Sequence, residues 1–178
     1  MDTTDSIAAL VGAARAGEGA ALEGLYRRFA PVVHGILLAR LQPADADDLA
    51  QDVFETALRR LHELREDAAF PGWIVSIARH AAQGAARRRV PLTGVALEEV
   101  ADGASVEQRV EAQRSLEAIR RLPEAYRETL LLRLVEGLTG PEIAERTGLA
   151  PGSVRVNLHR GMALLRAELA VPLQGDAT

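Results

Sequence analysis

Apolar residues return at every third or fourth position through most of the chain, and no stretch sustains the strict alternation of a strand, so an all-α fold is expected. The first such run, from about Ser6 to Ala16, ends at Gly17-Glu18-Gly19. The second sets Leu22, Leu25, Tyr26, Phe29, Val33, Ile36, Leu37 and Leu41 on one broad side, with Pro31 inside it as an expected kink. A side that wide calls for burial from several directions. After Gln42-Pro43, Asp45 or Asp47 is the expected cap of a third helix. Its Leu49, Val53, Ala57, Leu61 and Leu64 share one arc, and Asp48, Gln51, Asp52, Glu55 and Arg59 the opposite one. A turn over Asp67 to Pro71 then leads to a helix with Trp73, Ile74, Ile77, Ala78 and Ala81 on one side. Ser76, Arg79, Gln83 and Arg87 occupy the other.

From Val90 to Val106 the pattern lapses into VPLTGVALEEVADGASV, with three acids, one proline and no base, which reads as a flexible acidic linker. Helical spacing returns from Glu107 to Leu122, stops at Pro123, and resumes through Tyr126, Leu130, Leu134 and Val135 to Gly137. Two small helical domains are therefore expected, 1–89 and 107–170, joined by the linker 90–106 and followed by a disordered tail, 171–178.

The stretch LTGPEIAERTGLAPGSVRVNLHRGMALL, Leu138 to Leu165, carries local punctuation of its own. Thr139-Gly140-Pro141-Glu142 has capping-box spacing, Gly148 ends the helix after about two turns, and Pro151 stands where a second helix begins. Helix, glycine turn, helix is the plan of a helix-turn-helix. On its second helix Val154, Leu158, Gly161, Met162, Leu165 and Leu169 share an arc that must face a core. The opposite arc holds Ser153, Arg155, Val156, His159 and Arg160. Arginine can grip a phosphate or two acceptors on one guanine edge, so this face is a candidate DNA reader. The bland alternative is a solvated face on an ordinary helical hairpin.

Composition sharpens the picture by exclusion. The chain has 178 residues, 48% of them hydrophobic, and no cysteine, which leaves no disulfide framework and fits a reducing compartment, by default the cytoplasm. No apolar run approaches the roughly 20 residues of a membrane span, and Asp2 and Asp5 do not suit a secretory signal. His34, His62, His80 and His159 lack metal-ligand spacing, and no glycine-rich loop follows a strand, so no metal, cofactor or enzymatic activity is expected. Every basic side chain apart from histidine is arginine, and the formal net charge is -4. That sum argues against a nucleic-acid coat protein, yet Arg146 to Arg166 contains four arginines and no acid.

Three segments in order carry a family resemblance: DADDLAQDVFETALRRL (Asp45 to Leu61), FPGWIVSIARHAAQGAARRR (Phe70 to Arg89) and the run Leu122 to Leu169 that contains the helix-turn-helix. Together they resemble successive regions of a bacterial RNA polymerase sigma factor of the compact extracytoplasmic-function group. The resemblance covers most of the chain and implies two helical domains that bind core RNA polymerase and promoter DNA. An anti-sigma factor is a further partner it allows. By position, Asp48, Gln51, Asp52, Phe54 and Glu55 would dock on a coiled coil of the polymerase largest subunit. Trp73, Arg79, His80, Gln83, Arg87, Arg88 and Arg89 would serve the melted -10 element, and Ser153, Arg155, Val156, His159 and Arg160 the -35 element.

The chain departs from the family's pattern at His80, where relatives usually carry Asn, and in the small-residue stretch Ala81 to Ala86 with Gly84 inside it. Trp73 shares an arc with Ile77 and Ala81, which suits a core residue as well as a stacking one. Arg87-Arg88-Arg89 equally suits a helix C-terminus complementing its dipole. The linker is either an occupant of the polymerase's RNA path, as the resemblance implies, or a plain tether. With so few arginines in each domain, the free chain is expected to bind DNA weakly and to need polymerase to hold both domains on one promoter. Two other readings of the residues stand beside the sigma factor: a dimeric helix-turn-helix regulator of duplex DNA, and a protein-interaction module that does not bind DNA.

Overall fold

The computed structural model describes residues 3–88 and 105–170. The linker up to 104, Arg89 and the tail 171–178 lie outside the described residues. Eight α-helices are found among those described, with no strand. The first four are α1 (Thr3–Arg15), α2 (Gly19–Leu38), α3 (Pro43–Arg59) and α4 (Phe70–Arg88). The second four are α5 (Val106–Arg121), α6 (Glu124–Leu134), α7 (Gly140–Thr147) and α8 (Pro151–Ala170).

α2 organises the N-terminal half. Its Leu25, Phe29, Val32, Val33, Ile36 and Leu37 are wholly buried, and α1, α3 and α4 pack around them. The helix runs through Pro31 as one element. Phe29 meets Phe70 edge-on at 5.0 Å, which seats the start of α4 on α2.

α3 begins at Pro43, earlier than the expected caps. Gln42 is the residue before the helix and makes no side-chain cap. Proline at the first position needs no N–H partner there, so the helix starts without an aspartate cap. Asp47 instead reaches His34 Nε2 at 3.2 Å. Leu61 and Leu64 are buried as expected but fall after the helix, in and just past a 3-10 turn, Leu61–Glu63. Arg15 secures that turn: its guanidinium donates to the carbonyls of Leu61 and Leu64 and pairs with Asp67 at 3.0 Å.

In the C-terminal half α5 opens with a capping box of Ser105 and Gln108, one residue inside the segment read as linker. α6 and α8 pack closely across Gly161, where an added β-carbon would sit 3.1 Å from Leu130.

The two halves share one hydrophobic core. α2 also contacts α6 and α7, and a β-carbon on buried Gly35 would come within 2.7 Å of the Leu132 side chain. Only glycine allows α2 and α6 to approach so closely. Arg120 and Arg127 then donate to the carbonyls of Leu38, Ala39 and Leu41 at the C-terminal end of α2. These are acceptors that the end of a helix leaves without internal partners, and cations are favoured there.

Candidate polymerase and nucleic-acid interfaces

The helix-turn-helix forms for the reasons its sequence suggests. Thr139 Oγ1 accepts from the Glu142 amide, while the Glu142 carboxylate accepts from the Thr139 amide at 2.8 Å and from its hydroxyl at 2.7 Å. Those bonds from Thr139, helped by Arg146 and Arg133, hold the Glu142 carboxyl below its ordinary pKa. Gly148 closes α7 with φ +74, a left-handed conformation that costs a side-chain-bearing residue dearly. Val154, Gly161 and Leu165 then turn inward on α8.

This leaves Ser153, Arg155, Val156, His159 and Arg160 together on one exposed face. Neither Arg155 nor Arg160 has an ion pair or hydrogen bond among the described residues. Arg146 is different: it pairs with Glu142 at 3.0 Å on α7, so the free cations of this patch are fewer than the sequence suggested.

On α3, Asp48, Gln51, Asp52 and Glu55 form an exposed strip, with Gln51 donating to Glu55 at 3.3 Å. Phe54 does not join them. It is buried, its ring 4.7 Å from that of Tyr26.

α4 distributes its candidate residues unevenly. His80, Gln83 and Arg87 are exposed, and His80 Nδ1 pairs with the Ser76 carbonyl at 2.8 Å. Trp73 is half-buried, 6.0 Å from the Phe70 ring, and lines an open groove of about 630 Å³ between α3 and α4. Leu49, Val53 and Ile77 give that groove an apolar floor, while Asp52, Arg60 and His80 supply polar groups around it. The side chain of Arg88 lies, with Arg89, outside the described residues.

Arg79 is not free. Its Nη2 and Nε lie 2.7 and 3.0 Å from Glu128 Oε2 on α6. Glu128 is almost wholly buried and also meets Arg40 Nη1 at 3.3 Å, and Arg40 in turn pairs with Glu124. Two more bridges cross between the halves: Arg28 to Glu145, and His34 Nδ1 to Glu136 Oε1 at 2.6 Å. Four basic residues of the N-terminal half thus hold four acids of the C-terminal half. Sequence reasoning assigned Arg79 to DNA, gave Arg28 and Arg40 no role, and missed this belt. One signal was present: Glu128 sits one helical turn before core residues Leu131 and Leu132, so an acid had been placed on a buried face.

Comparison with known proteins gives the family. Residues 25–90 match the family described as Sigma-70 region 2, and residues 113–165 match Sigma-70, region 4. An ECF RNA polymerase sigma factor of Streptomyces griseus, ShbA, is 33% identical, the match covering 93% of this chain and 96% of the relative. The RNA polymerase sigma factor CarQ of Myxococcus xanthus is 32% identical over 85% of this chain and 91% of its own length. Among solved structures, CnrH, determined in complex with the cytosolic domain of CnrY, superposes with a TM-score of 0.63 at 24% identity. That match covers 92% of this chain and 96% of CnrH, and it speaks for a shared fold.

Proposed function

Since the chain belongs to the extracytoplasmic-function group of RNA polymerase sigma factors, it binds core polymerase and directs it to promoters, and we propose how its surfaces divide that work. The domains are taken as 1–89 and 107–170, with 90–106 between them. The exposed acidic strip of α3, Asp48, Gln51, Asp52 and Glu55, docks on a basic surface of polymerase, where complementary charge speeds encounter. Phe54 supports that strip from beneath through its packing on Tyr26.

α4 serves the -10 element. Arg79 and Arg87 hold backbone phosphates, with Gln83 beside them. The groove between α3 and α4 takes a base drawn from the stack, against Trp73 and Ile77 and within reach of His80. Unstacking costs a few kcal/mol, which such apolar floors and stacking surfaces offset. α8 lays Ser153, Arg155, Val156, His159 and Arg160 along the major groove of the -35 element. The factor makes and breaks no covalent bond itself and works where polymerase works, in the cytoplasm. No described helix is long and apolar enough to cross a membrane.

The observation that carries this reading is the unpaired arginine face of α8, standing on a fully formed helix-turn-helix. In vitro transcription with core polymerase on a genomic promoter library tests it. Starts that depend on the wild-type protein are expected to vanish when Arg155 and Arg160 are both replaced by alanine. Their survival would remove α8 from promoter recognition.

A further inference from the structure

We propose that Val156 reads sequence in the -35 element by packing on the C5-methyl group of a pyrimidine, which in unmodified DNA is thymine. The inference rests on the assignment of α8 to the -35 major groove made above, and it names one base contact within it.

The burial pattern of α8 singles out this side chain. Between Ser153 and Arg160 the helix turns Val154 into the core and half-buries Leu158. Asn157 is half-buried as well, and its amide donates to Thr129 Oγ1 on α6 at 3.5 Å. What remains outward is Ser153, Arg155, Val156, His159 and Arg160. Four of these carry polar groups that water satisfies in the free chain. Val156, 44% exposed, gains nothing from water.

Single exposed apolar residues are ordinary, and this one is set apart by its surroundings. Ser153 and Arg160 lie one turn before and one turn after it, with Arg155 next to it. Neither arginine has a partner among the described residues, and no acid stands between Arg146 and Arg166. The surface that fits such a setting is anionic and carries an apolar feature between its charges. The major groove of DNA is that surface. Phosphates and guanine edges draw the two arginines and fix how deeply the face sits. Of the groups that the base pairs present there, the thymine methyl is the apolar one. Any donor or acceptor pressed against valine instead would lose water without replacement.

Position and shape agree. Val156 lies in the second turn of α8, and the N-terminal part of a recognition helix is the part that meets base edges. Leu164, the other large apolar residue exposed on α8, stands two turns further on. β-Branching holds valine to one preferred rotamer in a helix, so its methyl groups are placed before DNA arrives. Burial of one methyl group sets the expected preference for thymine over uracil at about fourfold.

The test uses the full chain with core polymerase, on a promoter recovered from the genomic library. Each thymine of the -35 element, on both strands in turn, is replaced by deoxyuridine, which keeps every donor and acceptor and lacks only the methyl. Binding to these duplexes is compared at one fixed salt concentration. With the wild-type protein, one deoxyuridine duplex should bind about fourfold more weakly than its thymine parent. Val156→Ala changes an exposed position and leaves the core of α8 intact. It should bind the parent more weakly and hold the thymine and uracil duplexes equally. Methyl readout by Val156 is overturned if no deoxyuridine duplex is weakened, or if Val156→Ala keeps the wild-type preference. Arg155→Ala and Arg160→Ala separate that failure from failure of the underlying assignment. Loss of binding in these two variants keeps α8 on the -35 element, whereas binding that neither they nor a scrambled element alters removes α8 from it and overturns both readings.

Discussion

The two helices assigned to DNA are presented differently. On α8 the candidate contacts stand exposed, and Arg155 and Arg160 have no partner among the described residues. On α4 the central arginine is bound to a buried carboxylate of the opposite half, and the helix start lies against the turn of the helix-turn-helix. The difference follows from where each helix sits. α8 buries Val154, Gly161 and Leu165, packs Leu158, Met162 and Leu169 half-buried beside them, and leaves the opposite face to solvent. α4 lies between α2, α3 and α7, so a side chain on its flank meets protein before it meets DNA. One reader is ready in the free chain and the other must be released.

The largest expected effect lies on the ready side. Each well-placed arginine contact to a base is worth about 1–3 kcal/mol, so replacing Arg155 and Arg160 together with alanine should lower promoter-directed transcription by about a hundredfold or more. The slope of affinity against salt should fall wherever the lost contacts were to phosphate.

Next comes the seat of α8. Gly161→Val should destabilise the protein by about 2 kcal/mol in urea titration, because its side chain would enter the space filled by Leu130 and Tyr126. That loss should reduce -35 binding along with folding, whereas Gly35→Leu should separate the halves and leave α8 intact.

A smaller effect is expected from pH. The hydrogen bond to Glu136 raises the pKa of His34 above its ordinary value of 6.5; burial opposes this, and the charges of Glu136 and Asp47 add to it. Separation of the halves removes Glu136, so His34 binds its proton more tightly in the closed form. The contribution to closure is then fully present below the ordinary histidine value and is lost as pH rises through the raised one. The distance between α2 and α8 should lengthen over that window by a change that His34→Gln abolishes.

The smallest expected effect is at Gly84. A β-carbon there meets open space, so Gly84→Ala should stabilise α4 by about 0.5–1 kcal/mol in thermal unfolding and leave the Arg79–Glu128 pair unchanged.

What could be read in the sequence was local. The capping box at Thr139, the glycine turn at Gly148 and the inward arc of α8 are each set by neighbours within a few residues, and they form as expected. The breadth of the apolar side of α2 also announced burial from several directions, though not that α6 would be one of them. Helix starts were less legible: α3 begins at Pro43 without a side-chain cap, although aspartates stand two and four residues later. Least legible was the belt of charges. Arg28 and Glu145, or Arg79 and Glu128, are far apart in the chain, and an arginine looks the same in sequence whether phosphate or carboxylate awaits it. The acidic net charge carried the same ambiguity. Four acids that carried no assignment from the sequence, Glu124, Glu128, Glu136 and Glu145, hold the protein's own bases.

The most direct measurement is the distance between labels at Glu23→Cys and Ala163→Cys, taken first in the free chain and then after addition of core polymerase. The account predicts a single short distance for the free protein and a long one in the complex, with Arg79 released for DNA. An unchanged short distance in a complex that initiates transcription would contradict it.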